Sequence, residues 1–77
     1  MTKRLVTLRS KIDKIDKKLE KYLLKREKIA KEIGKTKKEL GLPIQNSERE
    51  KEVLSKIESP YVKKIFEHII TASKEIQ

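Results

Sequence analysis

Hydrophobic positions in the first forty residues recur in steps of three and four: Leu5, Leu8, Ile12, Ile15, Leu19, Tyr22, then Ile29, Ile33 and Leu40. That spacing returns to one face of an α-helix and is close to a heptad repeat. One position breaks it. Leu5, Ile12, Leu19, Ile33 and Leu40 form a seventh-residue series, and where its missing member should be apolar the chain has Arg26. A guanidinium on an apolar stripe needs an anionic partner, because a lone buried charge is far more costly than a solvated one. That partner is either a carboxylate of the protein or an anion brought from outside.

The pattern predicts a helix from near Thr2 to Leu40, widened on its apolar side by Leu23, Leu24 and Ala30. Gly41 is placed to cap it in a left-handed conformation, Pro43 forbids continuation, and Lys37 and Lys38 favour the last turns through the helix dipole. Gly34 costs about 1 kcal/mol against Ala in a helix interior, and is either a close-contact position or a tolerated glycine. A second, short helix is announced by Ser47-Glu48-Arg49-Glu50, read as a capping box with Ser47 at N-cap and Glu50 at N3. Val53, Leu54 and Ile57 form its apolar face, and it is expected to end near Glu58. Ser59-Pro60 then reads as N-cap and first helical residue of a third helix, with Val62, Ile65, Phe66, Ile69, Ile70, Ala72 and Ile76 on one broad face. The expectation is an all-α chain of one long and two short helices, a single domain over residues 1–77.

A helix of that length spans roughly 50 Å or more at about 1.5 Å per residue. Two short helices cannot cover its stripe, so part of the stripe is expected to meet a second chain. A homodimer with antiparallel long helices satisfies this with two-fold symmetry.

Composition narrows the chemistry. The chain has no cysteine and one histidine, which rules out disulfides and thiolate or histidine-rich metal sites. The formal net charge is +9, which favours nucleic acid or small anions as partners. No apolar run approaches the ~20 residues of a membrane span. No apolar signal segment opens the chain, so no membrane association and a cytoplasmic location are expected.

Few polar residues fall where a site needs them. Arg26 and Lys37 are 11 residues apart, close to three full turns, on one face and about 16 Å apart along the axis. Arg9 lies 17 residues before Arg26, about 25 Å along the rod and on another face. It is out of reach of a small ligand held by its own Arg26, but within reach of a partner's site in an antiparallel dimer. Arg49 and Glu50 open the second helix after Asn46, where helical N–H groups are free to meet anions. Ser73 and Gln77, four apart, are expected on one face of the third helix. Each has a plainer reading: Arg26 as the partner of a buried glutamate, Lys37, Arg9 and Arg49 as surface cations, Glu50 as a cap, Ser73 and Gln77 as ordinary terminal-helix residues, and His68 as a plain helix residue.

Taken together the residues are more specific. Leu8-Arg9, Ile12-Asp13, Ile15-Asp16, Leu23-Leu24-Lys25-Arg26, Ile29-Ala30, Ile33-Gly34-Lys35, Lys37, Gly41-Leu42-Pro43-Ile44, Glu48-Arg49-Glu50, the Phe66 to Ile70 stretch, and Ser73 with Gln77 resemble, in order and spacing, the all-helical chorismate mutases. The resemblance covers essentially the whole chain. It implies an intertwined homodimer of three-helix subunits with two active sites, catalysing the rearrangement of chorismate to prephenate in phenylalanine and tyrosine biosynthesis. It implies no cofactor and no metal, since this intramolecular [3,3] shift needs no nucleophile and no obligatory proton transfer. The enzyme holds the dianion folded and stabilises the charge growing on the ether oxygen.

Carried over by position, the resemblance assigns Arg26 and the partner chain's Arg9 to the substrate carboxylates, with Ser73 assisting. It assigns Lys37 to a carboxylate and the ether oxygen, Gln77 to that oxygen through its N–H, and Glu50 to the ring hydroxyl. Asn46, at a position usually aspartate, acts through its backbone, and Arg49 orients Glu50. Lyase activity on isochorismate is the alternative within this group, and an inactive regulatory domain is another. The rival outside it is a non-catalytic basic helical dimer that binds nucleic acid. Against that rival, the lysines surround the long helix, and no helix-turn-helix, zinc or aromatic stacking signature appears, so no nucleic-acid partner is expected.

Overall fold

The computed structural model describes residues 2–77 and contains three helices: α1, Lys3–Leu40; α2, Ser47–Ser55; and α3, Pro60–Glu75. Thr2 caps α1, its hydroxyl accepting from the Leu5 N–H at 3.2 Å. At the other end Gly41 takes φ 69°, and the N–H groups of Gly41 and Leu42 bond the carbonyls of Lys38 and Lys37, the Schellman arrangement. The long helix and its limits are therefore as the apolar period and Gly41-Leu42-Pro43 indicate.

The second helix departs from expectation by one residue. Asn46, not Ser47, is the N-cap: its Oδ1 accepts from the Arg49 N–H at 3.1 Å. Asparagine caps as well as serine does, and Ser47 Oγ is taken by Gln45 Nε2 at 3.4 Å. With the cap moved back, Glu50 is no longer at N3 and its carboxylate is not committed to a capping box. The helix also stops earlier than Glu58. Ser55 Oγ bonds the Glu52 carbonyl and the Ile57 N–H bonds Leu54, a tightened last turn ahead of the extended Ser59 that Pro60 requires. Ser59 caps α3, accepting from the Val62 N–H at 3.3 Å, with Pro60 in its first turn.

α3 packs back on both other helices near the C-terminal half of α1. Among the described residues the buried ones are Ala30, Gly34 and Ile70, all where α1 and α3 meet. The remainder of α1 stands clear, and the chain measures 56 × 24 × 15 Å. Its radius of gyration is 16.4 Å, against about 11–12 Å for a compact domain of this length. Leu5, Leu8, Ile12, Ile15 and Leu19 are all exposed. No helix among the described residues is long and apolar enough to cross a membrane.

The αL cap yields a test. Gly41→Ala places a Cβ in a left-handed conformation that costs roughly 1–2 kcal/mol, with no neighbouring atom to clash. Urea denaturation is expected to show a lower midpoint by that amount at unchanged slope. An unchanged midpoint would mean that this end is not held in the αL conformation.

Candidate active site

α1, α2 and α3 enclose a cleft of about 300 Å³. On α1 its wall is Arg26, Ile29, Ala30, Ile33 and Lys37, residues three or four apart on one helical face. Ile44 and Asn46 come from the loop, Arg49, Glu50 and Val53 from α2, and Ile70, Ser73, Lys74 and Gln77 from the end of the chain. Seven of the eight candidate site residues thus share one cavity. Arg9, on the N-terminal part of α1, does not line it.

Burial sharpens the assignment. Among the described residues the polar side chains that are at least half-buried are Arg26, Lys37, Glu50, Ser73, Lys74 and Gln77, and every one of them lines this cleft. Its walls carry four cations and a single carboxylate over an apolar floor.

Each polar group is held by a specific neighbour. Arg26 Nη1 donates to Ser73 Oγ at 2.5 Å, and Ser73 Oγ donates its one hydrogen to the Ile69 carbonyl at 2.8 Å. Ser73 therefore aims the guanidinium and has no second hydrogen for a carboxylate. Arg26 has no carboxylate partner among the described residues, which removes the plain reading of a buried ion pair. Lys37 Nζ donates to the Ile44 carbonyl at 2.6 Å and to Gln77 Oε1 at 3.3 Å. A lysine only donates, so it fixes the Gln77 amide with its oxygen inward and leaves the NH₂ to donate elsewhere.

Three expectations about these residues change. Gln77 lies beyond the end of α3, after Ile76, so it does not share a helical face with Ser73, yet it reaches the same cavity. Arg49 does not orient Glu50: its guanidinium pairs with Glu52 at 2.7 Å and stays largely exposed. Glu50 is held instead by Lys74, whose Nζ lies 3.2 Å from Oε1, while Oε2 is buried with no partner among the described residues. Asn46 keeps its side chain as the cap of α2, a task an uncharged amide performs as well as aspartate. Lys74 was not singled out in the sequence. Its spacing of four from Ile70 was the available signal, but it is one lysine among many.

Gly34 is the position at which α1 admits the end of the chain. A Cβ there would lie 2.7 Å from the Gln77 Cα and 2.9 Å from its carbonyl oxygen. Of the two readings of this glycine, close contact is the one observed.

A helical cleft lined mostly by cations over an apolar floor is built to take a small, multiply charged anion with an apolar body. The chain belongs to the chorismate mutase type II family, which matches residues 8–77. It is 40% identical over 57 residues to the chorismate mutase of Methanocaldococcus jannaschii, covering 74% of this chain and 58% of that protein. It is 46% identical over 50 residues to the bifunctional chorismate mutase/prephenate dehydratase of Aquifex aeolicus, covering 65% of this chain and 14% of that protein. The chain therefore spans less than two thirds of the length of either relative. A solved structure of a conserved hypothetical protein from Pyrococcus furiosus matches with a TM-score of 0.90 at 45% identity, over 99% of this chain and 97% of that one.

Gly34→Ala is expected to push Gln77 out and part its amide from Lys37. Helix propensity gains about 1 kcal/mol from the change, so the melting temperature should fall little or rise. A crystal structure of the variant that keeps the Lys37–Gln77 contact would contradict this account.

Proposed function

We propose that the chain is a chorismate mutase, acting on chorismate as an antiparallel, intertwined homodimer without cofactor. The observation that carries this reading is the gathering of every half-buried polar side chain into one cationic, apolar-floored cleft, in a chain of this family. The reaction breaks the enolpyruvyl C–O bond and forms a C–C bond within one molecule, so atoms balance with no proton donor or acceptor. What the protein supplies is confinement and charge.

Arg26, aimed by Ser73, takes one carboxylate. The isoleucine and valine floor packs the ring. Lys37 and the Gln77 NH₂ converge on the ether oxygen, where negative charge accumulates as the bond breaks; their mutual contact pre-sets both. Glu50, the one carboxylate lining the cleft, accepts from the ring hydroxyl. The Asn46 backbone stands nearby, and Arg49 at the rim adds positive potential.

The second carboxylate is met by Arg9 of the other subunit. Support comes from the uncovered stripe Leu5 to Leu19 on the same half of α1. Burying those five side chains contributes on the order of 10 kcal/mol before the costs of association. An antiparallel neighbour lying on that stripe would carry its own early α1 residues, Arg9 among them, toward the cleft.

Purified protein with chorismate is expected to show loss of the substrate's ultraviolet absorbance, with prephenate as product. Salicylate plus pyruvate would identify an isochorismate-directed lyase, and no turnover would refute the proposal. Lys37→Ala, folded and dimeric, should lose about 100- to 1000-fold in kcat.

The shared site has its own test. Arg9→Ala and Arg26→Ala should each be nearly inactive, while a co-refolded equimolar mixture should recover about a quarter of wild-type activity, one intact site per mixed dimer. A mixture no better than its components would show that both arginines serve the same chain's site, or that Arg9 serves none.

A further inference from the structure

We propose that Lys74 is a positioning residue that sets substrate selectivity by holding Glu50, an inference that rests on the reaction proposed above. Lys74 belongs to α3 and Glu50 to α2, and their contact at 3.2 Å joins the two short helices across the cleft. Lys74 engages Oε1 of a residue that lines the cleft, and Oε2 is buried with no partner among the described residues. The adjacent cation, Arg49, does not compete for this carboxylate: it is turned outward to Glu52.

Stability does not explain the arrangement. The two side chains are 30% and 25% exposed, and for a pair so far removed from water the desolvation of both charges offsets much of their attraction. Leaving one oxygen of a carboxylate buried without a donor is unfavourable. The arrangement becomes favourable when a hydroxyl brought into the cleft donates to this carboxylate, which lines the wall and lacks a full set of donors.

Charge gives a second reason. A bare carboxylate in the wall would repel a dianion. Pairing with Lys74 offsets that charge while leaving an acceptor in place, so the site accepts a hydrogen bond without opposing its ligand. Lys74 thus turns Glu50 from a source of repulsion into a reader of the ring hydroxyl.

The test compares kcat/KM for chorismate with that for an analogue carrying hydrogen in place of the ring hydroxyl, in the full-length dimer. The ratio is independent of the fraction of folded protein, so a poorly folding variant remains informative. Wild type should favour chorismate strongly. Lys74→Met should lower kcat/KM for chorismate about 10- to 100-fold and leave the analogue nearly unaffected, collapsing the ratio. Lys74→Arg should restore most of it. Equal losses on both substrates, or an undiminished ratio in Lys74→Met, would overturn the role of Lys74 and leave the reaction intact. A wild type inert toward chorismate would overturn the reaction and this proposal with it.

Discussion

Arg26 is a cation placed on the apolar side of a long helix, met among the described residues by a hydroxyl and by no carboxylate. Much of the structure follows from that constraint. A guanidinium half removed from water raises the local potential, and Lys37, Arg49 and Lys74 around the same space raise it further. Packing four like charges together is unfavourable in the free chain. It is the kind of local conflict that folding alone does not favour and that an anionic guest relieves. The lone carboxylate of the cleft, Glu50, has its charge offset by Lys74, and its second oxygen is buried without a partner among the described residues.

The means of positioning are ordinary helix-end chemistry. A left-handed glycine ends α1 and turns the loop so that the Ile44 carbonyl reaches Lys37. Asn46 starts α2 one residue before the serine that could have done so, and that single step frees Glu50 from capping. Gly34, near the C-terminal end of α1, lets Gln77 come within backbone contact, which brings its side chain to Lys37. None of these devices is costly, and together they assemble residues far apart in the chain, with Arg26 and Ser73 bonded across 47 positions.

Most of this was readable in the sequence because helices write their periodicity openly. The extent of α1, the pairing of Arg26 with Lys37 on one face, and the Ser59-Pro60 start of α3 follow from spacing and capping alone. What was misread came from competition between near-equal options. Asn46 and Ser47 are both good caps, and only the side chain of Gln45, bonded to Ser47, separates them. Arg49 has a carboxylate on either side of it in sequence, and the i,i+3 neighbour Glu52 wins over the adjacent Glu50 because adjacent side chains on a helix do not face each other. Lys74 was invisible for a different reason. Its importance lies in a contact 24 residues away, and its residue type is the commonest in the chain, so a spacing of four from Ile70 does not set it apart.

The two halves of α1 tell different stories. Its C-terminal half packs against α3 and carries the cleft; its N-terminal half carries an equally regular apolar stripe left exposed by the other described residues. Heptad-like spacing maintained over uncovered turns is not needed by a monomer, since exposed leucines and isoleucines contribute nothing to its stability and favour aggregation. In the proposed dimer the same stripe supplies association, and Arg9, set among these turns, supplies a charge that no residue of the local cleft replaces. Folding, assembly and substrate binding then draw on one helix. In the proposed dimer its apolar positions would hold the two chains together, and the arginines at residues 9 and 26 would fall on the turns that close around a single guest.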